Sequence, residues 1–580
     1  MRPLSIARVR ALRRLRNRFG SEAAVQKDEM LIACSACALT VPRTVLAYHD
    51  TLLFIAAHPQ SGAQSTRVEA ELARIDAAGP RLFRTRDGAY ELDMSGLAGG
   101  PVEAGFSIPL IEWMLERFPG QVELAWQQGA IGPEFDTLIS LAMLAPQRDG
   151  RLNTRFDMER WLQFVVGSDA SPQDSLRWVI ERIRDVVPDE ELRALVAECV
   201  DLRVRWHLQP GDPTRTRARF PDRPLFVQRG ASKRRFDTAR VIERPLPSPT
   251  RLTRARGTGL IDVARAVLAV REREADPVTH ASEGAVRLFS LDRGIDVALF
   301  GLQPAQRLPL ESYVGYVAAR NRVPIAYGGA WMLGRRAEIG VHLFESFRGG
   351  ESGYLFAQLM RTYRQHYGVT RFHVDPYQLG DDNNDAIRSG AFWFYYRLGY
   401  RHVDDELRRT AAEEWKDVRA DRSHRTPPAL LRRFAKSPVA LDLQPGHAGE
   451  YHADSTRLGV AVTQAVRNRF GSDRSAAERW CMRRVTRLLH VDRSRWTPGE
   501  RLGFERLCPL VAMLPGLDDW PERDRKALAA LMRAKGATSE RDFARRLGRH
   551  RRLQSAFADL EATVDWAAIS ARPRRRAVTS

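Results

Sequence analysis

Glu338-Ile339-Gly340-Val341-His342-Leu343-Phe344-Glu345-Ser346-Phe347-Arg348-Gly349-Gly350-Glu351-Ser352-Gly353-Tyr354 is the stretch on which the fold of this chain turns. Its first seven residues alternate, with Ile339, Val341 and Leu343 on one side, which predicts a β-strand. Beyond the glycines, Leu355, Phe356, Leu359, Met360 and Tyr363 recur at helical spacing as far as Gly368, a natural stop. The stretch therefore predicts strand, glycine-rich turn and helix. Such a turn aims free backbone N–H groups and the positive end of a helix at one place, where a phosphate can sit. Most strand-to-helix turns contain glycine and bind nothing, so the loop alone leaves both readings open.

Downstream, Val369–Asp375 predicts a second short strand. Asp381-Asp382-Asn383-Asn384 offers an N-cap for a single helix carrying Ala386, Ile387, Ala391, Phe394, Tyr395 and Leu398 on one face. Gly399 ends it, and Tyr400–Val403 leaves as a strand. The run of aromatics from Phe392 to Tyr396 surrounds that helix, so at least two of its faces need cover. Upstream, Leu260–Glu274 is amphipathic, and strand-like runs follow at Val286–Leu291, Ile295–Leu302, Tyr313–Ala319 and Val323–Met332. Asn321-Arg322 reads as a hairpin turn between the last two. By composition and periodicity the region is mixed α and β.

This order of elements, with Arg348 and Gly353 in the loop and Tyr395-Tyr396-Arg397-Leu398-Gly399-Tyr400 at the end of the second helix, resembles the GNAT superfamily of acyl-CoA N-acyltransferases over roughly residues 285–405. The family pattern has a glycine where Glu351 stands and an asparagine where Arg388 stands; Asn384 lies one helical turn upstream. The resemblance implies an α/β (α+β) GNAT-like central domain, with a mixed, mostly antiparallel sheet, over residues 258–445. A helical N-terminal domain (1–206), a proline- and arginine-rich linker (207–257) and a helical C-terminal domain (446–580) would flank it, both end domains all-α. It implies transfer of an acyl group from acetyl-CoA or another acyl-CoA to an amine acceptor, with no metal. The pyrophosphate of CoA would lie on Arg348, Gly349, Gly350, Glu351, Ser352 and Gly353, with Asn384 nearby. Tyr395 would protonate the leaving thiolate, and Glu338 or His342, with Glu345 as a further candidate, would take the amine proton. Glu351 and the displaced asparagine fit the alternative, a catalytically inactive GNAT-like scaffold for a protein or nucleic-acid partner.

The chain has 580 residues, too many for one core, and a net charge of +20. Of its 91 basic residues only six are lysine (27, 233, 416, 436, 526 and 535), leaving 91 − 6 = 85 arginines. That charge admits an acidic protein, a nucleic acid or an anionic cofactor as partner. Five cysteines make no disulfide framework: Cys34 and Cys37 read as a buried helical pair, and Cys199, Cys481 and Cys508 as core, which suits a reducing cytoplasm. No uncharged apolar run is long enough to span a bilayer. The arginine-rich first eighteen residues predict a basic amphipathic helix, Asp87-Gly88 a hairpin turn, and Arg572-Pro573-Arg574-Arg575-Arg576 a disordered tail.

Overall fold

The computed structural model describes residues 2–125, 133–153, 156–421, 423–444 and 452–566. The expected disordered tail around Arg572–Arg576 lies outside them. Twelve strands fall into two sheets among these residues. The smaller sheet comprises β1 (Pro101–Gly105), β2 (Val122–Leu124) and β3 (Arg203–His207), all antiparallel in the order β1-β3-β2. Residues 1–206 are therefore not all helix, as the sequence had implied. The strands are three to five residues long and sit between strong helical signals, so their alternation is too short to register.

The larger sheet is built around the hairpin at Asn321-Arg322. Both residues take left-handed backbones, φ +45° and +71°, the geometry whose twist suits a two-residue hairpin. They join β6 (Ser312–Arg320) to β7 (Val323–Leu333). A register shift between Ala318 and Ala319 accommodates Pro324, which has no N–H for the ladder. β4 (Arg287–Ser290) and β5 (Ile295–Gly301) extend the antiparallel meander on one side of β6. On the other side, β8 (Arg336–Ile339) and β9 (His342–Leu343) both pair antiparallel with β7. The helix Ser352–Tyr367 then crosses over, and β10 (Arg371–Val374) returns parallel to β8. β11 (Arg401–His402) does not reach β10, because β12 (Val439–Asp442) inserts between them, antiparallel to both. The full order is β11-β12-β10-β8-β7-β6-β5-β4, with β9 on β7. The larger sheet is thus mixed, with β8–β10 its parallel pair.

Two local expectations are corrected. Asp87-Gly88 lies in the helix Arg86–Glu91, where the Thr85 hydroxyl caps the Gly88 N–H at 3.0 Å. A Cβ at Gly88 would lie 1.8 Å from the Leu82 carbonyl, so the glycine serves a close helix-to-helix approach. The single helix expected from Asn383 to Leu398 is broken at Gly390 (φ +64°) into Asn384–Ser389 and Ala391–Arg397. Asn383 is its N-cap, accepting from the Ala386 N–H at 3.1 Å. The aromatic helix is covered as its composition demands: Trp393 stacks on Trp415 of the helix Asp405–Ala420, and Phe392 packs on Phe434 of the helix Pro428–Ala435.

Buried side chains group into three cores. The first joins residues 4–97 to the larger sheet, the second encloses the smaller sheet, and the third holds helices between Ser455 and Ala562. The basic helix Ile6–Leu15 is docked into the first through Val9 and Leu12. Residues 208–253 run across these surfaces largely without regular structure apart from the helix Thr238–Glu243. Cys34, Cys37, Cys481 and Cys508 are buried, but Cys199, expected in a core, is exposed at the end of its helix. Among the described residues no helix is long and apolar enough to cross a membrane.

Candidate functional site: a cleft where two strands part

β8 and β10 stay together for only three residue pairs, Arg336–Glu338 against Arg371–His373. The ladder on β7 is then interrupted at Gly340-Val341 and resumes at His342 in the same register. β10 ends at Val374 and turns into the short helix Pro376–Leu379, so β9 has no strand on its far edge among the described residues. The gap opens on a cleft of about 2030 Å³. Its walls come from Val341–Glu345, from Arg348 and Ser352, from the two helices between Asn384 and Arg397, and from His424–Arg432. They carry eight arginines against two carboxylates, Glu345 and Asp385, so the cleft has a strong excess of positive charge.

At the apex of the gap, Gln378 lies over Gly340: a Cβ on that glycine would stand 2.6 Å from the Gln378 Nε2. Gln378 Oε1 accepts a hydrogen bond of 2.6 Å from the Tyr395 hydroxyl. Tyr395 is 4% exposed yet lines the cleft, and burial pushes its phenol far above the ordinary value. His342 also lines the cleft, its ring stacked 5.1 Å from that of Tyr327. Burial, aided by the Arg273 charge, lowers its pKa, so the imidazole is neutral at pH 7. Glu338 shares the register row of His342, opposite Trp331 as His342 is opposite Tyr327. It is not among the residues lining the cleft, and burial, then Asp375, raises its pKa. Glu345 is at the cleft wall.

The glycine-rich loop is divided. Arg348 and Ser352 face the cleft, and Asn384 does so from the opposite wall. Gly349 has a left-handed backbone (φ +81°) with open space around it, and Gly350 approaches Phe54 to 3.5 Å at an added Cβ. Gly353 faces Phe236 and Leu398, at 3.7 Å each. Glu351 is 7% exposed and reaches neither solvent nor the cleft. Its carboxylate accepts from Arg293, from Arg320 and from the Lys233 backbone N–H, with Gln228 bridging the two arginines. Although burial opposes ionisation, these partners hold the carboxyl down at about 2. The position that interrupts the family pattern therefore anchors the loop to residues 228–233 and leaves the cleft side of the helix N-terminus clear. Arg348 is exposed and pairs loosely with Glu345 at 3.7 Å.

Sequence reasoning missed Gln378, which has no motif around it, and the cluster Arg215, Arg271 and Arg273, which comes from chain segments far from the loop. Among the described residues no group of three His, Cys, Asp or Glu side chains is placed to hold a metal ion. No family model, curated protein or solved structure matches this chain.

Proposed function

We propose that the chain is an acyl-CoA-dependent N-acyltransferase of the GNAT type. The observation that carries this reading is the parting of β8 and β10 at Gly340, which leaves the free edge of β9, the N-terminus of the Ser352–Tyr367 helix and the Tyr395 hydroxyl around one arginine-lined cleft. A thioester ligand with a charged pyrophosphate at one end and amide groups along its arm has a match for each part. The first-turn N–H groups, Ser352 and Arg348 meet the phosphates. The open edge of β9 offers backbone donors and acceptors to the amides. Asn384 and Arg388 close the opposite wall.

His342, neutral at pH 7, takes the amine proton as the C–N bond forms, and is preferred to Glu338 because it faces the cleft. Tyr395 keeps its proton over the whole working pH range and gives it to the departing sulfur as the C–S bond breaks. A thiolate desolvated in the same cleft is itself a stronger base than in water, which narrows the gap between donor and acceptor. Glu351 favoured the inactive-scaffold reading on sequence grounds; its burial against two arginines, away from the cleft, removes that ground. The test is binding of acetyl-CoA. Ligand at about 100 times its Kd adds about 2.7 kcal/mol to stability. An unchanged melting curve in millimolar acetyl-CoA would return the scaffold reading to first place.

A further inference from the structure

Beyond the part of the cleft suited to a pyrophosphate, a second cationic surface stands on the far side of His342. The helix Arg254–Ala269 ends in a tight turn in which the Glu272 N–H bonds to the Ala269 carbonyl and the Arg273 N–H to the Leu268 carbonyl. Closing that turn puts Glu272 at φ +55°, a conformation that side-chain-bearing residues rarely adopt. The turn delivers Arg271 and Arg273 together to the cleft wall. The Arg271 guanidinium carbon sits over the Phe344 ring, 4.0 Å from its centroid; Phe344 stacks on Tyr327, and Tyr327 on His342. One Arg271 N–H reaches the Val267 carbonyl at 2.6 Å. Neither Arg271 nor Arg273 has a carboxylate at ion-pair distance among the described residues. Of the nearby acids, Asp50 is engaged with Arg215 at 2.7 Å and Glu274 with Ser107 and Thr279, while Glu272 feels the Arg273 charge without reaching ion-pair distance. Burial and the neighbouring Arg215 charge both lower the pKa of Arg271, so this guanidinium sits where a positive charge is costly. Asp50 offsets this cost only in part, and a cation so placed is matched by an anion that arrives from outside.

We propose that Arg271 and Arg273 form the acceptor subsite, and that the amine acylated here belongs to a small molecule carrying a carboxylate or phosphate close to its nitrogen. This rests on the cleft being an acyl-transfer site. With the anion on the two guanidiniums, the amine of such a molecule is directed along the Phe344–Tyr327 stack toward His342, and Phe344 and Tyr327 cover its carbon skeleton.

Calorimetry with two matched pairs reads the preference without requiring turnover: N-acetylglycine against N-acetylglycinamide, and O-phosphoethanolamine against ethanolamine. The wild type is expected to bind the anionic member of at least one pair tenfold or more tightly at low salt, and the pair that shows it separates carboxylate from phosphate. The Arg271→Gln, Arg273→Gln double variant should reduce the ratio to less than about threefold with an unchanged Kd for acetyl-CoA, while Arg271→Lys keeps part of it. If the double variant does not fold, Arg273→Gln alone, at an exposed position, provides the same comparison. No anion preference in the wild type, or one that survives in the variants, overturns the subsite. Loss of acetyl-CoA binding along with the preference, with melting unchanged, also overturns it, since the arginines would then serve the CoA phosphates. Failure of the acyltransferase reading looks different: the wild type binds no acetyl-CoA while the anion preference remains, an outcome that strikes out the acceptor role.

Discussion

Replacing Glu351 by glutamine removes one charge and almost no volume from a carboxylate that is 7% exposed between Arg293 and Arg320. Its cost can be reached by two routes. Holding the carboxyl at about 2 rather than 4.5 is worth about 3 kcal/mol at neutral pH, trimmed to about 2–3 kcal/mol by residual solvent screening. Leaving buried cations without their partner costs about 3–5 kcal/mol. The routes meet near 3 kcal/mol, roughly a 6–12 °C fall in Tm if the unit that melts is 150–250 residues. The sign follows from linkage. A carboxylate with a depressed pKa contributes stability that is complete above about pH 4.5 and is lost as pH falls toward about 2. The gap between wild type and Glu351→Gln should therefore be widest at pH 7 and narrow steadily between pH 4.5 and 3. Melting curves of both proteins across that range measure it. Glu345→Gln is the control, because the Glu345–Arg348 pair is exposed and should matter by less than about 0.5 kcal/mol. A loss under about 1 kcal/mol for Glu351→Gln at pH 7, or a gap that does not shrink on acidification, would refute the buried anchor.

Three further outcomes follow from the cleft. Tyr395→Phe should slow acyl transfer about 10²–10⁴-fold with little change in acetyl-CoA affinity; an unchanged rate removes Tyr395 from the chemistry. Gly340→Ala should cost little stability, because the atom its Cβ meets at 2.6 Å is the end of the Gln378 side chain, yet displacing that amide frees the Tyr395 hydroxyl and should lower kcat about tenfold or more. A Gly340→Ala enzyme of normal rate would show that Gln378 does not position Tyr395. The acidic limb of kcat/KM should lie below pH 6.5, because burial and Arg273 lower the His342 pKa, and should disappear in His342→Gln. A limb that persists in that variant assigns the base elsewhere.

The loop's side chains illustrate what pattern reading can and cannot reach. The family resemblance put Arg348 and Ser352 at the phosphate end, and both face the cleft. Glu351, in the same motif, was expected beside the pyrophosphate, and instead turns inward. Nothing local could show this, because its partners Arg293, Arg320 and Lys233 come from 118 to 31 residues away. Arg320 flanks the hairpin turn, where the Asn321 amide also donates to the Ala57 and Phe226 carbonyls, tying the turn to the N-terminal helices. Similarly, β12 carries only a short apolar run, Val439–Leu441, and becomes a strand because β10 presents it with an unpaired edge.

Periodicity and turn chemistry by themselves determined the strands β4 to β7, the Asn321-Arg322 hairpin, the long helix after the glycines and the strand β10, whereas the single strand expected over Glu338–Phe344 is broken at Gly340-Val341 into β8 and β9. In each, the signal that places the element spans about ten residues, so alternation, helical spacing and backbone preference suffice for the element though not for its partner in the sheet. Tertiary structure decided the rest: the strand that separates β10 from β11, the small sheet near the N-terminus, the burial of Glu351, and the convergence of Arg271, His342, Gln378 and Tyr395 on one cleft. Those outcomes depend on charge compensation and on edge pairing between segments far apart in the chain, and such interactions are fixed by where the folded backbone brings groups together, not by the residues that precede or follow them.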